Sequence, residues 1–163
     1  MTKDDLAFHV IDGVEYPSFT DNTWIGDTGS SCHIVHDDTG LYDITPISEV
    51  VGGIGGQSIR ATKMGRLNVV IKQADGTLVR RVLYLVKYCL GATERIWSLN
   101  QELNDARLST DDKHRYVLTY NDDQQTKIVF DRRAKINNGW VPGVEVIQDT
   151  AAVSYTHLTL PTN

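Results

Sequence analysis

The sequence predicts an all-β domain with a single short helix. Glycine and proline punctuate short apolar stretches throughout the chain, and long runs with a 3.6-residue apolar period are scarce. The chain has 163 residues, which is enough for one domain with a sizeable core and too few for two ordinary domains. We therefore expect one β domain built from short strands and tight turns.

The first half of the chain shows strand patterns on either side of turn residues. Residues 7–11 are predicted to form a strand that ends at Asp12-Gly13, and residues 23–26 and 31–36 are predicted to form two more. Residues 50–59 place β-branched residues on both sides of a glycine-rich tip. This pattern is typical of a hairpin, because glycine adopts the positive φ that tight turns require.

The second half is predicted to contain two more hairpins and the helix. Alternating apolar residues at 67, 69 and 71 precede a turn at residues 74–76 and a return strand at 78–86. Residues 116–120 and 127–130 flank a turn at 121–123 and are predicted to pair. Between these hairpins, residues 94–103 are predicted to form a helix. Ile96, Leu99 and Leu103 share one helical face there, and Thr93 is available as the N-cap.

Four segments are expected along the chain. Residues 1–19 are an N-terminal extension, 20–130 the main domain, and 131–152 a linker towards a downstream part of a polyprotein. Residues 153–163 resemble a translated sequencing adapter and are expected to be a non-native tail.

Composition excludes several classes of protein. No apolar run approaches the ~20 residues of a membrane-spanning helix. The net charge of -5, with sixteen scattered Lys and Arg residues, argues against a nucleic-acid surface. Two cysteines far apart in sequence, Cys32 and Cys89, form no disulfide framework and favour a reducing cytoplasm.

The triplet Asp27-Thr28-Gly29 is the candidate catalytic motif. It follows the apolar Trp24-Ile25-Gly26 segment and precedes small hydroxyl residues beginning at Ser30, so its loop can hold a carboxylate against backbone N–H groups. Aspartic proteolysis needs two such carboxylates, one ionised to accept a proton from water and one protonated to donate to the scissile carbonyl. Thr28 and Ser30 are expected to bond the loop and the outer carboxylate oxygens, while Gly29 allows close backbone approach.

One catalytic triplet per chain is the basis of the oligomer prediction. A single copy cannot supply both carboxylates, so a twofold-symmetric homodimer with one Asp27 from each chain is expected. No metal and no cofactor is required by this chemistry.

Residues 24–34, Trp-Ile-Gly-Asp-Thr-Gly-Ser-Ser-Cys-His-Ile, resemble the active-site segment of copia-type retrotransposon proteases. The resemblance continues at residues 82–86, Val-Leu-Tyr-Leu-Val, and at residues 97–103, Trp-Ser-Leu-Asn-Gln-Glu-Leu. It implies a retropepsin-like closed β-barrel with a short C-terminal helix. It also implies an aspartic endopeptidase that processes its own Gag-Pol polyprotein, in the cytoplasm or within virus-like particles.

The glycine-rich segment resembles the flap of retroviral proteases. The resemblance implies that the flap closes over an extended peptide and donates backbone N–H groups to it. The residues expected to bind substrate are Ser30, Gly52, Gly53, Ile54, Gly55 and Gly56.

Other interpretations remain open at the level of sequence. The glycine-rich segment fits a mobile loop as well as a flap, and Cys32, His33 and His36 suggest a zinc site that lacks a fourth ligand. The adjacent acids Asp37 and Asp38 point apart on extended backbone and are expected in a solvated turn. The functional alternatives are a cellular retropepsin-like protease with another substrate, and a catalytically silent β-barrel used for dimerisation or binding.

Overall fold

The computed structural model describes residues 6–52 and 58–147. The strand predicted at residues 7–11 is present as Phe8–Ile11 and ends at the expected turn, where Asp12 and Gly13 both adopt positive φ, 50° and 81°. It pairs with Val14–Pro17 through this two-residue loop, as short hairpins favour. Strands dominate the described residues, which contain one helix, and the all-β prediction is confirmed. In chain order the elements are β1 Phe8–Ile11, β2 Val14–Pro17, β3 Thr23–Asp27, β4 Ile34–Val35, β5 Tyr42–Gly52, β6 Ser58–Lys72, β7 Leu78–Tyr88, β8 Ile96–Ser98, α1 Leu99–Glu102, β9 Ala106–Thr110, β10 Tyr116–Tyr120, β11 Lys127–Val129, β12 Arg132–Ile136 and β13 Gly139–Ile147.

Three sheets organise these strands. The largest has eight strands in the order β12-β13-β3-β8-β4-β7-β6-β5, and β13 pairs with β6 as well as with β3. Strands β11, β10 and β9 form an antiparallel sheet, and β1 and β2 form a separate hairpin. The predicted hairpins around residues 74–76 and 121–123 are confirmed, whereas β9 was not predicted.

Two buried apolar clusters lie against the large sheet. The first contains three aromatic rings in edge contact, with Trp97 between Trp24 and Phe130 at centroid distances of 6.1 and 5.8 Å. The second joins Ile25, Cys32, Ile34, Ala61 and Cys89, and several partly buried residues pack against it. Strand β3 contributes to both clusters through consecutive residues, because successive side chains of a strand point to opposite faces.

The helix predicted for residues 94–103 is wrong over its first half. Residues Ile96–Ser98 form β8, which pairs in parallel with β3, and only Leu99–Glu102 is helical. All three β8 residues are buried, so sheet pairing and burial on both faces outweigh the helical spacing of the apolar side chains. The N-cap is Ser98, not Thr93.

The linker predicted for residues 131–152 is wrong over Arg132–Ile147. Strand β13 pairs with β12, β3 and β6, which places it inside the large sheet. The turn between β12 and β13 uses Asn137 and Asn138 at positive φ, as a hairpin requires. Asp131, at the predicted boundary, is buried and accepts N–H groups from Gln73 and Ala74.

The N-terminal extension packs on this sheet through residues before position 20. Ser18 forms a parallel bridge with Arg133, and the Arg133 guanidinium lies 4.5 Å from the buried Tyr16 ring. The strand predicted at 31–36 is limited to Ile34–Val35. The predicted tail at 153–163, residues 148–152 of the predicted linker and residues 1–5 lie outside the described residues.

Candidate active site

Asp27 is the last residue of β3, where the chain leaves the large sheet. Residues 24–26 before it are buried, whereas Asp27 is only partly buried and Thr28 and Gly29 are exposed. The parallel pairing of β3 with β8 places Asp27 in register with Ser98. The strand therefore anchors the candidate catalytic carboxylate in the core while leaving it within reach of solvent.

The loop itself holds one oxygen of this carboxylate. The Gly29 N–H donates to Asp27 Oδ1 at 2.7 Å, and a Cβ at position 29 would lie only 3.3 Å from that oxygen. Ser30 does not bond the carboxylate as expected; its hydroxyl donates to the Cys32 carbonyl at 2.7 Å. The loop thus supplies a backbone donor to the carboxylate from Gly29, and the bond from the Ser30 hydroxyl to the Cys32 carbonyl stabilises the loop itself.

The buried Phe130 ring packs against the backbone just before Asp27. A Cβ on Gly26 would approach Cδ2 of Phe130 to 2.6 Å, so the backbone immediately before Asp27 rests directly on that buried ring. Glycine is required at position 26 for this close approach, because any larger residue would displace the ring.

Ser98 is a site residue that sequence reasoning missed, because it was assigned to the interior of a longer helix. Its side chain is fully buried, and its hydroxyl donates to the Ser30 carbonyl at 2.5 Å while accepting the Gln101 N–H at 3.0 Å. One hydroxyl therefore caps α1 and holds the loop that follows Asp27.

His33 bonds the other side of Ser98. The Ser98 N–H donates to Nδ1 of His33 at 2.9 Å, and His33 is fully buried. Its Nε2 lies 3.8 Å from Oε2 of Glu102, while the Tyr120 hydroxyl donates to Oε1 of Glu102 at 2.5 Å. Burial acts to raise the pKa of Glu102, but His33 and Tyr120 outweigh burial and hold that pKa below its ordinary value.

A second Asp-Thr-Gly triplet, Asp38-Thr39-Gly40, is present in the sequence, and the count of one triplet per chain was wrong. Its surroundings differ from those of Asp27. Asp38 is exposed in the turn before β5, and the Lys63 ammonium, 2.6 Å from its Oδ2, lowers the pKa of Asp38. No buried strand precedes it directly, since His36 and Asp37 intervene. The prediction of a solvated turn for Asp37 and Asp38 fits this geometry.

The arms of the predicted flap are strands β5 and β6. Gly52 pairs with Ser58 and Val51 with Ile59 at the last described positions. Val51 and Ile59 pack against the second apolar cluster, which also contains Ile25 of β3. The other predicted substrate-binding residues lie outside the described residues: Gly53, Ile54, Gly55 and Gly56.

The residues considered for zinc are engaged elsewhere. Burial raises the pKa of the Cys32 thiol, which disfavours the thiolate that binds metal, and Nδ1 of His33 is occupied by the Ser98 N–H. Over 6–52 and 58–147, no group of three His, Cys, Asp or Glu residues is arranged to hold a metal ion. The same ranges contain no helix of the length and apolarity that crossing a membrane requires.

Comparison of the chain with protein-family models, with curated proteins and with solved structures finds no match. The chemistry of the site therefore has to be argued from its own geometry. One accessible carboxylate on a rigid strand, with one oxygen already bonded to a backbone N–H, can accept a proton or donate one.

Proposed function

We propose that the chain is one protomer of a homodimeric aspartic endopeptidase of the retropepsin kind. The observation that supports this most directly is the placement of Asp27. Its carboxylate leaves a buried strand at the edge of solvent and is fixed by the Gly29 N–H. Such a group is positioned to activate water, and within residues 6–52 and 58–147 it forms no ion pair of the kind that occupies Asp38.

The proposed reaction uses two copies of Asp27. The ionised carboxylate accepts a proton from a water molecule, whose oxygen attacks the scissile carbonyl carbon while the protonated carboxylate donates to the carbonyl oxygen. The carboxyl group that took the proton from water then gives it to the amide nitrogen, and the C–N bond breaks as a hydroxyl of the diol returns a proton to the other carboxylate. This releases the two peptide products and restores the pair, and neither a metal nor a covalent intermediate takes part. Two carboxylates this close cannot both ionise, so their pKa values separate and the pair shares one proton.

The strand pairings support a closed barrel for the proposed fold. Each of β13, β3, β8, β4, β7 and β6 pairs with the next, and β13 pairs with β6, so these strands form a circuit. The β5–β6 hairpin continues from this circuit, and Val51 and Ile59, close to its glycine-rich end, pack on the apolar cluster that includes Ile25. We infer that the hairpin acts as a flap and that an extended peptide binds as a strand between it and the Asp27 pair.

The proposed substrate is an extended segment of the element's own Gag-Pol polyprotein, in the cytoplasm or within virus-like particles. The resemblance of residues 24–34, 82–86 and 97–103 to copia-type proteases supports this choice of substrate over a cellular protein.

Asp27→Asn tests the proposal, and Asp38→Asn is its matched control because it alters the same residue type in the same triplet. We expect Asp27→Asn to abolish cleavage of an extended peptide, while Asp38→Asn keeps wild-type activity. Cleavage that survives Asp27→Asn would refute the role proposed for Asp27 and with it the aspartic protease assignment. Wild-type protein that cleaves no peptide would favour a silent binding module. Loss of cleavage in both variants would instead indicate that one chain supplies both acids.

Dilution tests the homodimer. A site assembled from two chains loses activity per protomer as the protein is diluted below the dimer dissociation constant. We expect specific activity and the dimer fraction, measured by analytical ultracentrifugation, to fall together. Constant activity per protomer in solutions that contain only monomer would overturn the two-chain site.

A further inference from the structure

We propose that His33 is a positioning residue for the Asp27 loop, acting through the bond that its Nδ1 accepts from the Ser98 N–H. This inference rests on the proposed protease function for its catalytic consequence. Its structural basis is the chain of contacts from the buried Glu102 and Tyr120 through His33 and Ser98 to the Ser30 carbonyl.

The first step is the state of the imidazole. A ring nitrogen that accepts an N–H carries no proton, so a neutral His33 has its proton on Nε2. That nitrogen faces Oε2 of Glu102 at 3.8 Å, and the carboxylate favours a proton on the side that faces it. The Ser98 N–H therefore determines the tautomer, and the charge of Glu102 favours the same one although Nε2 is too far from it for a hydrogen bond.

The second step is what holds Glu102. The Tyr120 hydroxyl donates to its other oxygen, and the Arg81 guanidinium lies 3.7 Å from the Tyr120 ring. Both side chains come from strands other than the one that precedes α1. The Tyr120 hydroxyl thus holds one oxygen of the carboxylate, and the stacked guanidinium holds the Tyr120 ring, which keeps the charge of Glu102 beside the imidazole. The Trp97 ring, 6.2 Å from His33 in an edge contact, limits the remaining freedom of the imidazole.

The third step connects His33 to the carboxylate of Asp27. Ser98 lies in parallel register with Asp27, and its hydroxyl bonds the carbonyl of Ser30, next to the Gly29 whose N–H bonds Asp27. The bond from the Ser98 N–H to His33 therefore holds the backbone of β8 beside Asp27, and the Ser98 hydroxyl holds the loop that follows Asp27. Catalytic groups must be held within fractions of an ångström for full rate, which makes this connection consequential.

The experiment compares two variants that both remove the ring. In His33→Asn the side-chain oxygen can occupy the position of Nδ1 and accept the Ser98 N–H, whereas in His33→Gln the amide reaches the position of Nε2. We expect kcat within about threefold of wild type for Asn and a loss of about tenfold or more for Gln, with KM changed less than about threefold in both. Equal losses of kcat in the two variants, after correction for the folded fraction, would overturn the proposal.

Amide hydrogen exchange provides a readout that does not depend on cleavage. At matched global stability, we expect exchange at Ser98 and Gly29 to be faster in the Gln variant than in the Asn variant by about tenfold, because only the Asn variant retains an acceptor. Equal exchange rates would overturn the positioning role. If wild-type protein cleaves no peptide, the protease assignment fails, and this comparison still decides the role of His33.

The tautomer of His33 in the unaltered protein gives a test that no folding defect can obscure. Long-range ¹H–¹⁵N correlation spectra at neutral pH should show a protonated Nε2 and an unprotonated Nδ1. A proton on Nδ1 would contradict the bond from Ser98 and end the proposal.

Discussion

Replacing Ser98 by alanine removes one hydroxyl that makes two hydrogen bonds at the site. The Gln101 N–H loses its acceptor at the start of α1, and the Ser30 carbonyl loses its donor. Alanine at an N-cap costs about 1 kcal/mol, and the bond to Ser30 contributes roughly 1 kcal/mol more. The expected loss in the free energy of unfolding is therefore about 2 kcal/mol. The Ser98 N–H and its bond to His33 remain, and the alanine methyl occupies the position of the serine Cβ without a new clash.

Urea denaturation followed by circular dichroism measures this loss in the free energy of unfolding, and thermal denaturation measures the corresponding change in Tm. Ser109→Ala is the control because Ser109 is exposed on β9. An exposed substitution of this kind changes stability by less than about 0.5 kcal/mol. Since 1 kcal/mol shifts Tm by roughly 2–4 °C in a domain of this size, Ser98→Ala should lower Tm by about 4–8 °C. A change no larger than that of Ser109→Ala would show that the Ser98 hydroxyl does not hold the loop and the helix together.

Two further substitutions test the surroundings of the site. Gly26→Ala should destabilise the protein by about 1–3 kcal/mol, because the new Cβ overlaps the buried Phe130 ring. Gly139→Ala should be mild, since its nearest contact is an ordinary 3.6 Å, and equal denaturation midpoints for the two would contradict this packing argument. The pKa of Glu102 lies below its ordinary 4.5 in the folded protein, so its ionised form contributes stability above pH 4.5 that is lost as pH falls through the folded value. Urea titrations between pH 7 and 3 should therefore show a smaller acid-induced loss in Glu102→Gln, and identical pH profiles would refute the role assigned to this carboxylate.

Local patterns were sufficient for the turns at residues 12–13, 74–76 and 121–123 and for the position of Asp27 at the end of a strand. The pair Asp12-Gly13 predicts its turn because the required backbone conformation is set by the turn residues themselves. Asp27 could be located because an apolar strand and the triplet are adjacent in sequence. The triplet Asp38-Thr39-Gly40 was overlooked in the sequence. In the fold, its exposed turn and the ion pair with Lys63 distinguish this triplet from the one at Asp27.

Long-range pairing explains what the sequence did not predict. Ile96 has helical spacing to Leu99, yet it pairs with Ile25, which lies far away in the chain. Gly143 lies inside the predicted linker, but glycine is required there because the Phe19 ring would lie 2.6 Å from a Cβ. Ser98 could not be recognised as a site residue, since its partners His33 and Ser30 are 65 and 68 residues distant.

One chain supplies the hydrogen bonds that support the Asp27 loop, but it does not supply the second carboxylate of the proposed pair. The support for the loop is complete within the described residues, because Ser98 bonds His33 on one side and Ser30 on the other. The proposed chemistry is incomplete in one chain, because the other Asp-Thr-Gly acid, Asp38, is paired with Lys63 in a separate turn. Under the proposed function, folding and catalysis should therefore respond to different changes. We expect loss of the Ser98 hydroxyl to lower the stability of each chain, and loss of the Asp27 charge to remove the proposed reaction while leaving the packing of β3 intact. This separation is expected of a protomer that folds first and acquires its second acid by association.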